Sequence, residues 1–294
     1  MKDVSYAFVW WFSIAVTRTA DTFDPIIRMR LLSSLCPLKR LTPLLLAISF
    51  PVSAWCNSVS DTEGVWTISP AFTSHYVFRG VELADACFQP WIDYTRGPLS
   101  LGVWSSAALE DRVSGDSDPE VDLYGSYSFA NASKSVTFVP GFYLYTYPDA
   151  KRSNGLYSVT FEPSFAVVFT AAGVQFTPKI YYDVMLKGAT YELTAAFALP
   201  LKSLGTELDF AATAGTFKTT DTAADVTPAV KNWGDYWTIG VAAPVQVSMR
   251  SKVTLGVTYS EGRNNFFKDG TLPRVANEGA HAQTSVTLTY SINL

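Results

Sequence analysis

The chain has 294 residues, of which 48% are hydrophobic and 14% aromatic, while only 16% are charged. Its mean hydropathy of +0.13 is high for a soluble protein, in which about a quarter of the residues carry a charge. Yet the sequence has no run of about 18 uninterrupted apolar residues, which a membrane-spanning helix would need. An apolar chain of this kind, rich in alternating segments, has the composition expected of a transmembrane β-barrel.

The N-terminal region carries the parts of a secretory signal peptide. From Met29, a basic segment precedes an apolar stretch over residues 41–50, and a small-residue cleavage site ends at Ala54. The residues before Met29 add nothing to this signal. The predicted segments are a misassigned start or leader at 1–28, a signal peptide at 29–54 and an outer-membrane barrel at 55–294.

The charge of the exported part argues against nucleic acid as a partner. The first 54 residues hold six basic and three acidic residues, which leaves 16 basic and 23 acidic residues and a net charge of −7. Proteins that bind nucleic acid present a basic surface instead. We therefore expect outer-membrane lipid and small solutes as partners. The sequence has no phosphate-binding glycine loop and no zinc-binding pattern, so we expect no cofactor.

Alternating segments with turn signals between them predict an all-β fold. The predicted strands are 65–78, 87–96, 99–110, 120–130, 134–147, 156–170, 173–186, 189–201, 206–218, 235–249, 252–261 and 282–294. Twelve strands of about ten residues, joined in chain order, form an up-and-down antiparallel transmembrane barrel.

The pattern within the strands and between them indicates which face looks outward. In the stretch YSVTFEPSFAVVF, residues 157–169, one face is aromatic and the other is small or polar. The connections alternate between short turns, such as AAG, and longer loops, such as DRVSGDSDP, as they do in outer-membrane barrels. We therefore predict that Phe161 and Phe165 face lipid and that Glu162 faces the lumen.

The opening of the predicted barrel resembles a known family. Residues 69–95 read SPAFTSHYVFRGVELADACFQPWIDYT, and LGVWSSA and EVDLYGSYSF follow. The matching residues are Tyr76, Val77, Phe78, Arg79, Gly80, Trp91, Gly102, Trp104, Glu120, Asp122 and Tyr124. They are similar to the opening of the TorF-like putative porins, over about the first third of the exported chain. The resemblance implies an outer-membrane barrel that acts as a porin.

Charged side chains on the inward face would set the electrostatic potential that a solute meets. On the predicted register they include Asp93, Asp122, Glu162, Lys179, Asp183, Glu192 and Asp209. We expect Lys179 to lie opposite Ser164 and to neutralise Glu162. The excess of carboxylates then predicts a weak preference for cations.

Three functions fit this pattern. The first is a porin-like channel for passive passage of small solutes. The second is a structural or adhesive barrel that acts through its extracellular loops, with a lumen filled by inward-facing aromatic residues. These residues are Trp91, Trp104, Tyr124, Tyr143, Tyr145 and Tyr181. The third, an outer-membrane lipid hydrolase, is the weakest.

Catalysis and metal binding find little support in the sequence. A hydrolase needs a serine in contact with a histidine, but Ser74 and His75 are neighbours on a strand and point to opposite faces. We therefore predict no enzyme. His75 and His281 fall near the same end of the predicted barrel, but two ligands are too few to predict a metal site.

Overall fold

The computed structural model of the protein describes residues 63–110, 119–150, 158–221, 230–263 and 279–294. In chain order the strands are β1 (Val65–Ser69), β2 (Ala71–Thr73), β3 (Tyr76–Phe78), β4 (Val81–Ala84), β5 (Cys87–Phe88), β6 (Trp91–Arg96), β7 (Leu99–Ala108), β8 (Glu120–Tyr127), β9 (Phe129–Ala130), β10 (Val136–Thr146), β11 (Val159–Ala171), β12 (Val174–Asp183), β13 (Gly188–Leu201), β14 (Thr206–Asp221), β15 (Val230–Gln246), β16 (Ser251–Arg263) and β17 (Gln283–Asn293). A short 3-10 helix, Lys202–Leu204, joins β13 to β14. Across these ranges, no helix is both long and apolar enough to span a membrane. The predicted leader and signal peptide lie outside the described residues.

The first and last wall strands pair and close the sheet on itself. β1 pairs with β17 through Ile68 and Ile292, and β2 pairs with the same strand through Phe72 and Leu288. All pairings in this sheet are antiparallel, and most strands pair with their neighbours in sequence. The protein is therefore a closed antiparallel β-barrel, as the sequence predicted.

Three wall strands are interrupted by one or two residues each. β1 continues into β2 across Pro70, β5 into β6 across Gln89 and Pro90, and β8 into β9 across Ser128. A proline has no N–H to donate, so the hydrogen-bond ladder breaks there. The Pro70 carbonyl still accepts the N–H of Tyr290 at 3.0 Å, which keeps the wall continuous. When each interrupted pair counts as one strand, the described wall has the predicted twelve strands.

Alternate side chains in the wall separate into an apolar outer face and a polar inner face. In β13, Tyr191 and Leu193 are 55% and 49% exposed, whereas Thr190 and Thr194 are only 3% and 9% exposed. This distribution of exposed and buried residues is the reverse of that in a soluble protein, where the exposed residues are mostly polar. A continuous exposed apolar surface around a polar interior is the arrangement of a barrel that is surrounded by lipid.

Short turns lie at one end of the barrel. The turn between β11 and β12 consists of Ala172 and Gly173, with φ angles of 51° and 82°. Positive φ at both central residues is typical of type I′ hairpin turns, which follow the twist of the strands. The connections at the other end include residues 111–118, 151–157, 222–229 and 264–278, which lie outside the described residues.

One connection at that second end folds into the barrel, which corrects the predicted first strand. β2 ends at Thr73, and β3 and β4 pair only with each other, in a separate two-stranded sheet. Arg79 and Gly80 form the turn between them, with φ angles of 47° and 76°. We call Tyr76–Ala84 the inner hairpin. The prediction of one strand over 65–78 was therefore wrong beyond residue 73.

Candidate functional site in the lumen

The inner hairpin crosses the lumen from one side of the wall to the other. At its tip, Nη2 of Arg79 lies 2.8 Å from Oε2 of Glu162 on β11. The next residue, Gly80, lies against Gly262 on β16, so closely that a Cβ on Gly80 would be 2.5 Å from the Gly262 Cα. Four strands, β12 to β15, separate β11 from β16 along one side of the barrel. The tip therefore touches two distant parts of the wall.

The ion pair at the tip is buried. The side chain of Arg79 is 8% exposed and that of Glu162 is 1% exposed. The same carboxylate oxygen accepts the hydroxyl of Tyr145 at 2.9 Å, and the guanidinium lies 5.0 Å from the ring centre of Tyr181. Buried charges need such partners, because each has lost its hydration. These contacts fix the hairpin tip in the lumen.

Aromatic side chains fill the space around the hairpin. One buried cluster comprises Tyr76, Phe78, Ala84, Cys87, Trp104, Tyr124, Tyr143 and Tyr145, with Trp91 and Tyr181 packed against it. The rings of Tyr76 and Trp104 are 5.5 Å apart, and those of Phe78 and Tyr145 are 5.9 Å apart. The six aromatic residues that the sequence placed inward thus meet in this cluster. The hairpin adds Tyr76 and Phe78 to this cluster.

Two tyrosines lie flat on the wall over glycines and hold two of the predicted lumen carboxylates. Tyr124 crosses Gly102 and donates its hydroxyl to Asp93. Tyr236 crosses Gly215 in the same way and donates to Glu192. A Cβ on either glycine would overlap the tyrosine ring. The missing side chain therefore lets each ring reach a carboxylate two strands away.

The predicted pairing of Lys179 with Glu162 was wrong. Lys179 pairs with Ala166, and Tyr181 takes the place opposite Ser164. Among the described residues, Glu162 forms its ion pair with Arg79 instead. Nζ of Lys179 donates to the hydroxyl of Tyr143 at 2.6 Å and lies 4.5 Å from the ring centre of Tyr181.

The other predicted lumen charges are Asp183, Asp122 and Asp209. Asp183 ends β12, where its Oδ1 accepts the backbone N–H groups of Met185 and Leu186 at 2.8 Å. Asp122 and Asp209 are only 1% and 2% exposed. In each of these two, Oδ1 has no hydrogen-bond partner within the described part of the chain. A carboxylate oxygen of this kind attracts water or a cation.

A bacterial family described as "Bacterial protein of unknown function (Gcw_chp)" matches residues 60–270. The chain belongs to this family. The Gcw_chp match includes the inner hairpin and the wall as far as β16. It does not establish the TorF-like resemblance, which stays a prediction. Among curated proteins, none matches the sequence.

Several solved outer-membrane barrels are similar to this member of the Gcw_chp family in fold. The KdgM porin is 11% identical, with a TM-score of 0.44 over 77% of this chain and 98% of that one. The NanC porin is 11% identical, with a TM-score of 0.45 over 78% and 100%. An outer membrane channel from Pseudomonas putida F1 is 11% identical, with a TM-score of 0.43 over 79% and 94%. Likeness at such low identity concerns the fold alone.

Proposed function

We propose that the protein is an outer-membrane channel for the passive passage of small solutes, narrowed by the inner hairpin. The observation that carries this proposal is the closed wall, apolar outside and polar and charged inside. The predicted signal peptide at 29–54 would deliver the chain to the outer membrane of a Gram-negative-type bacterium. The resemblance to the TorF-like putative porins, which is a prediction from the sequence, also favours a porin-like channel.

The inner hairpin sets the width of the proposed channel. An empty barrel of twelve strands encloses more space than its own wall side chains fill, since eight strands already suffice for a filled interior. Here the hairpin joins β11 to β16, and its aromatic side chains occupy part of that space. Solutes would pass beside the hairpin, which restricts the channel to small ones.

Removing the hairpin is therefore expected to raise the single-channel conductance. Thr73 pairs with Cys87 at the base, so a short Gly-Ser linker can replace residues 76–84 without changing the wall. The measurement is conductance in planar lipid bilayers, with circular dichroism to verify the fold. A small wild-type conductance that rises in the deletion variant supports the proposal. Equal conductance in the two proteins contradicts it.

The second candidate function is a sealed barrel that acts through its outer loops. The observation that favours it is the buried aromatic cluster around the hairpin. The same experiment separates the two candidates. A wild type that never conducts, beside a deletion variant that does, supports the sealed barrel. If neither protein conducts, the lumen is not a pathway.

The lumen charges predict a weak preference for cations. The carboxylates of the described lumen include Asp93, Glu120, Asp122, Glu162, Asp183, Glu192 and Asp209, and its cations include Arg79 and Lys179. Carboxylates in excess give a negative potential, which low-dielectric walls strengthen. Lys179→Gln should shift the reversal potential in a KCl gradient further toward cation selectivity. Asp183→Asn, which keeps its Oδ1 acceptor, should shift it the other way.

Lys202 provides the matched control for this charge experiment. It lies exposed in the turn between β13 and β14, outside the lumen. Lys202→Gln should leave the reversal potential unchanged, although it removes the same charge. A wild type that prefers anions contradicts the proposed lumen potential.

We propose no enzymatic activity. The ring of His75 contacts Glu82 and Gln283, both at 2.7 Å from Nδ1. The hydroxyl of Ser74, the neighbouring candidate nucleophile, accepts the backbone N–H of Val286 instead. These contacts favour a transport function for the barrel, rather than the lipid-hydrolase activity that was considered from the sequence.

A further inference from the structure

At the base of the inner hairpin, three potential metal ligands (His75, Glu82 and Asp85) come together at the barrel seam, and His281 contacts one of them. His75 precedes β3, Glu82 lies in β4, Asp85 follows β4, and His281 precedes β17. Nδ1 of His75 lies 2.7 Å from Oε1 of Glu82 and 3.5 Å from Oδ1 of Asp85. Nε2 of His281 lies 3.0 Å from Oε2 of Glu82. Each oxygen of the Glu82 carboxylate thus contacts one imidazole, and the second carboxylate, Asp85, contacts the imidazole of His75.

The centre of this cluster is rich in electron pairs. Oε1 of Glu82 and Nδ1 of His75 also lie 2.7 Å each from Nε2 of Gln283, which only donates. If Nδ1 accepts from Gln283, the imidazole and the carboxylate direct lone pairs at the same space. Such a contact needs a hydrogen atom or a metal ion between the two lone pairs. Glu82 is only 7% exposed, so bulk water does not screen this contact.

We propose that His75, Glu82 and Asp85, whose ligand atoms all lie within 4.8 Å of one another, form a binding site for a divalent transition-metal ion, with Zn²⁺ as the best match and with His281 in contact with the second oxygen of Glu82. Zn²⁺ prefers four ligands from imidazole nitrogen and carboxylate oxygen, at about 2.0–2.2 Å. Ligand atoms in a tetrahedral site of that size lie roughly 3.3 Å apart. The separations of 2.7 to 3.5 Å around His75 are close to this value. Mg²⁺ and Ca²⁺ prefer all-oxygen sites, and this set does not suit them.

A metal ion here would fasten the inner hairpin to the seam of the barrel. Glu82 belongs to the hairpin, while His281 immediately precedes the last wall strand. The backbone N–H of Glu82 already donates to the carbonyl of Gly279 at 2.9 Å, so the two segments lie side by side. The metal would hold the base of the hairpin, as the ion pair of Arg79 with Glu162 holds its tip. Both ends of the hairpin would then be fixed.

Calorimetric titration tests the site directly. The protein is purified in detergent without a histidine tag, treated with EDTA and titrated with Zn²⁺. The wild type is expected to bind one equivalent, and Mg²⁺ should not compete. Glu82→Gln should lower the affinity at least about tenfold, as changes at metal sites do. Glu261→Gln, at a surface ion pair with Arg263, is the matched control and should bind Zn²⁺ like the wild type.

Two further readouts distinguish the loss of the metal site from a loss of the fold. Co²⁺ in the wild type should give the visible absorption of a four-coordinate ion, and His75→Ala should lose it while its circular dichroism stays unchanged. Zn²⁺ should also slow hydrogen exchange in residues 74–86. The proposed site is wrong if the wild type binds no Zn²⁺. It is also wrong if the Glu82→Gln variant binds Zn²⁺ with the affinity of the wild type. Unchanged exchange with metal bound overturns the fastening role. None of these measurements depends on whether the barrel conducts.

Discussion

Arg79→Met is expected to lower the free energy of unfolding by about 3–5 kcal/mol, because it leaves a buried carboxylate without its cation. Glu162 is 1% exposed and would keep only the hydroxyl of Tyr145 as a described polar partner. Methionine preserves much of the length and the apolar stem of the arginine, so loss of packing contributes little. The measurement is equilibrium unfolding by guanidinium in detergent or lipid vesicles, followed by tryptophan fluorescence.

A double variant separates the charge from the packing. Arg79→Met with Glu162→Gln removes both charges and should recover most of the lost stability, since a buried neutral pair carries no uncompensated charge. Arg263→Met is the control, because Arg263 is 76% exposed and its ion pair with Glu261 lies at the surface. Such pairs contribute less than about 1 kcal/mol. If Arg79→Met costs no more than Arg263→Met, the ion pair does not hold the hairpin.

The wall of the barrel could be predicted from the sequence because its signal is local. Strand β13 was predicted at 189–201 and observed at Gly188–Leu201. Alternation with a period of two marks such a strand without knowledge of its neighbours. Closure follows from the number and spacing of strands alone. These features need no information about which distant residues meet.

The inner hairpin could not be recognised from alternation alone. Tyr76, Val77 and Phe78 continue the apolar character of the first strand, so the pattern has no break at Thr73. A usable signal did exist, because Arg79-Gly80 stands between two short apolar runs and two-residue turns ending in glycine mark hairpins. Whether such a hairpin points outward or into the lumen depends on the space that the closed barrel leaves. That space is a property of the whole wall.

The error in the partner of Lys179 comes from the turn between β11 and β12. A turn centred on residues 171 and 172 would place Lys179 opposite Ser164, whereas the observed turn is Ala172-Gly173. Moving a turn by one residue moves every pairing by two, which leaves the inward face unchanged but alters the neighbours. The observed partner of Glu162 is Arg79, which lies in the connection between the first two predicted strands. The face of the wall on which a side chain lies was thus easier to predict than the residues that it contacts.

The metal ligands were missed for the same reason. His75 and His281 were recognised as neighbours at one end of the barrel, but Glu82 and Asp85 belonged to the segment read as a loop. Only the inward fold of the hairpin brings Glu82 between the two histidines. The spacing of His75, Glu82 and Asp85 in the sequence is not a zinc-ligand spacing, so their convergence depends on the tertiary structure.

Phe165→Arg is expected to lower the free energy of unfolding in lipid vesicles by about 2–4 kcal/mol, the cost of a charge on the lipid face near the bilayer midplane. Phe165 lies in the middle of β11, is 41% exposed and stacks on Phe138 with ring centres 6.3 Å apart. Phe161 and Leu193 extend the same exposed apolar surface. An arginine at this position would have to leave the wall or draw water into the lipid.

Two controls decide whether lipid exposure causes this loss. Phe165→Leu keeps the face apolar and should cost much less than Phe165→Arg, although it removes the aromatic contact. Ser164→Arg introduces the same charge on the opposite face, where inward carboxylates such as Glu162 attract a cation. The vesicle-bound fraction of each variant after refolding provides an independent readout of insertion. If Phe165→Arg inserts and unfolds like Phe165→Leu, or tolerates the charge better than Ser164→Arg, the aromatic face does not contact lipid and the proposed membrane barrel is wrong.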